Sequence, residues 1–162
     1  MNHIFVKFSA VLACCVLLFG CGRTPAEEPL VVYSFCGENE RFSISNGVIV
    51  LSPTEEIFYG GNLEGELPDV VGYSMTFYIQ SDHGDVVLLS NSVTDMTGEP
   101  IDISGETGKI SGDILTAAEI DELRNHLYFK LKTTDSEGVE NEYQLQLTLT
   151  EVTGKSTKSR RP

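Results

Sequence analysis

The chain has no tryptophan, only three histidines, few basic groups and no apolar run long enough to span a bilayer. Each shortage bears on function. Carbohydrate-binding sandwiches usually display an exposed aromatic platform, and without indole that role would fall mainly to the six tyrosines. Eleven Lys and Arg stand against 24 Asp and Glu, a net charge of −13. So acidic a chain repels phosphate backbones, and no nucleic-acid partner is expected. The apolar stretch 8–20 is about a dozen residues long, short of the ~20 that a membrane-crossing helix needs.

That stretch instead has the length of the apolar region of an export signal. Lys7 precedes it, Cys21 follows it, and Gly22-Arg23-Thr24-Pro25-Ala26-Glu27-Glu28-Pro29 then turns abruptly polar. A polar stretch with two prolines reads as an unfolded, flexible tether over 21–29. The junction Leu18-Phe19-Gly20-Cys21 resembles the lipobox of bacterial lipoproteins, with Leu three residues before the cysteine and a small residue directly before it. The resemblance implies removal of residues 1–20 and a diacylglycerol on the Cys21 sulfur. Two acyl chains suffice for stable anchoring where one is marginal. An ordinary cleaved signal, or an uncleaved anchor, is the other reading of the same residues. As a whole the chain is similar to small lipoproteins of Gram-positive bacteria, a likeness of type that implies no activity. It implies a domain held by lipid on the outer side of a cell membrane.

Without residues 1–20 the chain carries ten basic and 24 acidic groups, a net charge of −14. Residues 154–162 hold Lys155, Lys158, Arg160 and Arg161 and no acid, which leaves 21–153 with six positives against 24 negatives, or −18. The basic segment reads as a disordered, solvated tail. Cys14 and Cys15 would leave with the signal and lipid would consume Cys21, so only Cys36 remains. The domain 30–153 therefore makes no internal disulfide, and Cys36, closing the strand Val31–Cys36, is expected to be buried packing.

Alternation with period two dominates from residue 31 onward. Two strands flank Asn46-Gly47, a pair suited to a hairpin turn, and Glu56–Tyr59 reads as a strand stopped by Gly60-Gly61. Tyr73, Met75, Phe77 and Ile79 share one face of a strand, whereas Asp85–Ser90 is apolar on both faces and so reads as central. Residues 94–113 read as loops with one short strand near Ile101–Ile103. Thr116 and Glu119 form a capping box for a short helix over 116–126, with Leu115 placed to staple onto Ile120. Leu127, Phe129 and Leu131 then alternate with Tyr128, Lys130 and Lys132, a turn follows at Asp135–Gly138, and a last strand runs from Glu142 to Val152. Seven to nine short strands predict a mainly β chain folded as an antiparallel β-sandwich, with an immunoglobulin-like arrangement among the candidates.

Signs of chemistry are sparse. Gly105-Glu106-Thr107-Gly108-Lys109-Ile110 has Ile where a phosphate loop needs Ser or Thr, and Gly154-Lys155-Ser156 lacks the upstream Gly. His83 lies in a turn and His126 near the helix C-terminus, where the backbone dipole favours it. Asp135, Glu137 and Glu140 supply alternating oxygens that could ligate calcium, though without EF-hand spacing. Tyr78 and Tyr128, on the faces opposite the core, are the surface candidates for ligand contact. The preferred expectation is a non-enzymatic, lipid-anchored module without cofactor, binding an envelope protein or an extracellular ligand. A small hydrolase or metal-dependent enzyme built on His83, His126 and loop carboxylates is one alternative. A carrier with a pocket lined by Phe77, Leu89 and Phe129 is the other.

Overall fold

The computed structural model describes residues 30–95 and 97–153. The expected signal 1–20, the expected tether 21–29 with Cys21, and the basic segment 154–162, expected as a disordered tail, lie outside the described residues. In chain order the strands are β1 (Val31–Glu38), β2 (Phe42–Leu51), β3 (Glu56–Tyr59), β4 (Asn62–Gly65), β5 (Val70–Ile79) and β6 (Val86–Thr94). Then come β7 (Gly105–Glu106), β8 (Lys109–Gly112), the helix α1 (Ala117–His126), β9 (Leu127–Asp135), β10 (Glu140–Gln146) and β11 (Thr148–Glu151). Two antiparallel sheets pack as a β-sandwich. The first has the order β11-β1-β2-β3-β8, with β4 beside β2 and β7 beside β4; the second has the order β10-β9-β5-β6. The meander β1-β2-β3 sets sequence neighbours side by side, whereas the immunoglobulin order sets the fifth strand beside the second.

Alternation places the core. Phe35, Phe42 and Phe58 project from the first sheet, and Phe77 and Phe129 from the second. Their rings form a continuous chain, with centroids 5.4 Å apart for Phe35–Phe58, 5.3 Å for Phe58–Phe77 and 4.9 Å for Phe77–Phe129. Burying each such ring contributes about 1.5–3 kcal/mol, and edge-to-face pairs about 0.5–1.5 kcal/mol more. The capping box of α1 forms as expected, with Thr116 accepting from the Glu119 N–H and Glu119 answering to the Thr116 N–H. The Glu56 carboxylate holds the approach to this helix, accepting from the N–H groups of Ile114 (2.8 Å) and Leu115 (2.7 Å). α1 touches β11 of one sheet and β5 and β9 of the other, closing the gap between them. No helix among the described residues is long and apolar enough to cross a membrane.

Four expectations are corrected. Asn46-Gly47 is no hairpin: β2 runs through it, with Asn46 at φ 58°. The register against β1 jumps from Phe35–Gly47 to Gly37–Ile44, which marks a β-bulge. Glycine is required there because a Cβ on Gly47 would stand 2.1 Å from the Phe35 ring. At the bulge β2 changes partner from β3 to β4, and Gly61, at φ 80°, turns the neighbouring chain to follow.

The other three lie at edges and crossings. The segment 85–90 is not central: β6 is an edge strand of the second sheet. Its apolar appearance on both faces arises from a bulge opposite Phe77/Tyr78, where Leu88 is the extra residue between the paired Leu89 and Val87. No strand forms at 101–103; Ile103 is a buried plug, and the strands of that region are β7, paired with β4, and β8, paired with β3. The final strand is two. β10 pairs with β9, and at Leu147, whose N–H donates to the Leu127 carbonyl over 2.9 Å, the chain crosses to the first sheet as β11. This split, with the short strands β4, β7 and β8, brings the count among the described residues to eleven.

Candidate functional site

The outer face of the second sheet is where the tyrosine platform was expected. Tyr78 and Tyr128 do sit opposite each other on β5 and β9, with stacked rings 5.8 Å apart. Tyr78 is nevertheless only 3 % exposed, which removes it as an open contact surface. Tyr128 covers one side and Lys130 another, its Nζ standing 5.2 Å from the Tyr78 ring centroid. Burial pushes the Tyr78 phenol above its ordinary pKa, with the Asp85 charge adding to the shift. Glu142 on β10 receives Lys132 at 3.1 Å and Lys130 at 3.7 Å, and the hydrogen bond from Lys132 is the main reason its carboxyl lies below the usual range. These side chains satisfy one another across three strands.

The acidic turn is likewise closed on itself. Asp135 accepts from the N–H groups of Glu137 (3.0 Å) and Val139 (2.8 Å), so its carboxylate shapes the turn between β9 and β10. Glu140 has joined β10 opposite Thr134. Among the described residues, no three His, Cys, Asp or Glu side chains converge to hold a metal ion. His83 and His126 stand at the same end of the second sheet, where the Gln80 N–H donates to the His126 carbonyl over 2.9 Å. Both side chains are exposed, and no hydrogen bond among the described residues joins them.

Cys36 is exposed, correcting its expected burial. Parity explains the difference: Tyr33 and Phe35 take the inner positions of β1 and leave Cys36 on the outer side. It lines a shallow cleft with Glu38, Ser43, Ser45, Gln146 and Thr148. The space between Phe77 and Phe129 is filled by their own rings, and both residues are fully buried. Leu89 lies at the margin of that cluster.

Two features stand out that the sequence reading missed. Arg124 on α1 donates to the Tyr33 hydroxyl (3.0 Å) and pairs with Glu151 (3.1 Å), tying the helix to β1 and β11. The second is the outer edge of β6. From Val86 to Thr94 it carries no charged residue, in a body of net charge −18. Val87 is 59 % exposed and Val93 43 % exposed. The sequence signal was the uncharged run between Asp85 and Asp95, which read as interior. Asp95 ends the run in a turn: it accepts from the Thr97 hydroxyl and the Glu99 N–H, and those bonds hold its carboxyl below the ordinary range. Comparison with family models, with curated proteins and with solved structures finds no match.

Proposed function

We propose that this protein is a lipid-anchored, extracytoplasmic binding module that takes an extended segment of an envelope protein along the edge of β6. The observation that carries the reading is an uncharged edge strand with two exposed valines on a strongly acidic body. Exposed edges offer a row of unpaired N–H and C=O groups, and isolated proteins blunt them with charges, prolines or short strands. β6 has one bulge, nine residues, and neither proline nor charge. An added strand would satisfy the backbone groups, while Val87 and Val93, on opposite faces, would give side-chain selectivity. The lipobox-like junction Leu18–Cys21 supports the address, and the ring-filled interior favours recognition at the surface over carriage between the sheets.

The test is crosslinking in cells with the native anchored protein, compared with Val87→Lys/Val93→Lys and with Cys21→Ala. A discrete adduct is expected for the native form and should be lost in the valine double variant, which stays folded and membrane-bound. An undiminished adduct in that variant overturns the β6 reading. Cys21→Ala should move to the soluble fraction; full retention in the membrane overturns the anchor.

A further inference from the structure

A separate cleft of about 270 Å³ opens where β9 turns into β10, lined among others by Arg41, Leu67, Pro68, Asp69, Asp135 and Tyr143. No residue of β6 takes part. Arg41 closes the turn between β1 and β2, where the Asn39 side chain accepts from its N–H over 2.8 Å and from that of Phe42 over 3.0 Å. The guanidinium carbon stands 5.5 Å from the centre of the Tyr143 ring, and that ring packs edge-on against Phe42 with 6.1 Å between centroids. A cation over a ring is attracted by the ring face and keeps its N–H donors for other partners. Of the five Lys and Arg among the described residues, Arg124, Lys130 and Lys132 pair with carboxylates. Among the same residues Arg41 has no carboxylate within 4.0 Å, although two line its cleft. Asp69 Oδ2 accepts from the Ser136 hydroxyl over 2.7 Å, and Asp135 uses Oδ1 alone for the two N–H groups of its turn. Among the described residues no hydrogen bond reaches Asp69 Oδ1 or Asp135 Oδ2.

We propose that this cleft binds a small zwitterion, an α-amino acid with a short apolar side chain. The guanidinium donors match a carboxylate as a bidentate fork, and the open oxygens of Asp69 and Asp135 accept from an ammonium group. Because the guanidinium and the two carboxylates stand more than 4.0 Å apart, the carboxylate and ammonium of one ligand fit between them and complete both pairs. Leu67, Pro68 and the Tyr143 ring supply an apolar wall for its side chain. Size and charge narrow the ligand further. The cleft is smaller than the ~300–1,000 Å³ of pockets for drug-sized molecules. A plain anion would meet two carboxylates on a body at −18, and a plain cation would meet Arg41. A ligand of no net charge that carries both signs suits all three groups.

The test is an NMR titration of the isotope-labelled full chain, in mild detergent, with leucine, N-acetylleucine and leucinamide. Leucine should give saturable amide shifts at Asp69, Thr133, Asn141 and Tyr143, all of which line the cleft. The two blocked forms lack one charge each and should bind at least about ten-fold more weakly. Arg41→Gln and Asp69→Asn should each weaken leucine binding by about ten-fold. Both keep the fold, since Arg41 is exposed and Asn tolerates the φ of 61° at position 69. Lys109→Gln, which removes the other described cation without a carboxylate pair, should leave binding unchanged. Undiminished binding to Arg41→Gln overturns the proposal, as does the lack of a saturable shift up to about 10 mM leucine. Equal binding of N-acetylleucine would mean a site for the carboxyl end of a peptide, and equal binding of leucinamide a site for cations; either result overturns it as well.

Discussion

At the scale of single residues, Gly60 stands in one of the tightest places in the fold. A Cβ there would stand 2.2 Å from Thr107 Oγ1 and 2.8 Å from the Phe77 ring. Neither neighbour can yield. Phe77 is the hub of the aromatic chain, and Thr107 is fully buried with its hydroxyl donating to the Gly61 carbonyl over 3.1 Å. Gly60→Ala should therefore lower stability in urea by about 1–3 kcal/mol. Gly72→Ala, which meets nothing closer than 3.5 Å, should stay within about 0.5 kcal/mol of the parent. Glu142 gives a prediction in pH. Its folded pKa lies below the ordinary 4.5, so its bonds to Lys132 and Lys130 stabilise the fold above that value. The contribution is lost as pH falls through the folded pKa, and it is small because the pair is exposed. Carbon-detected NMR titration should place the Glu142 midpoint below 4.5, and Lys132→Met should raise it. The bulge at Gly47 shows what residue-scale reading lacks: Asn-Gly states a positive φ, but only the Phe35 ring decides that the second residue has no side chain.

At the scale of elements, the helix was legible because its signals are local. Thr116, Glu119 and the spacing of Leu123 and Leu127 sit within a dozen residues, and the cap forms as the sequence implies. Thr116→Ala should cost about 1 kcal/mol, measurable as a lower midpoint in urea, and should raise hydrogen exchange first in α1. Strands were legible as strands by the same locality, since period two fixes which side chains share a face. Their neighbours were not. Nothing within Val86–Thr94 says that it borders one strand rather than two, and a bulge at Leu88 imitates burial on both faces. The outward parity of Tyr78 was readable, but its cover comes from Tyr128 and Lys130 on another strand. For the same reason the expectation for Cys21, which lies outside the described residues, could be drawn from a short motif alone, whereas the edge of β6 required the sheet order.

At the scale of the whole molecule, the sandwich class followed from the number and spacing of alternating segments, and the topology from contacts far apart in the chain. β5 pairs with β9 across the whole loop region and α1, and the sheets are tied together by the crossing at Leu147. Pairings of this kind fold slowly, because the chain loses loop entropy before the contacts compensate it. The position of β11 adds an order in time. Synthesis delivers β1 first, yet its second neighbour, Thr148–Glu151, is among the last residues described. A nascent chain can form β1 with β2 early, but the first sheet lacks its last strand until Leu147 has crossed over. A ribosome-bound fragment stopping before that residue holds an open, incomplete sandwich. Completion of the first sheet thus waits until Thr148–Glu151 have left the ribosome, and β1 is paired on one side alone until then.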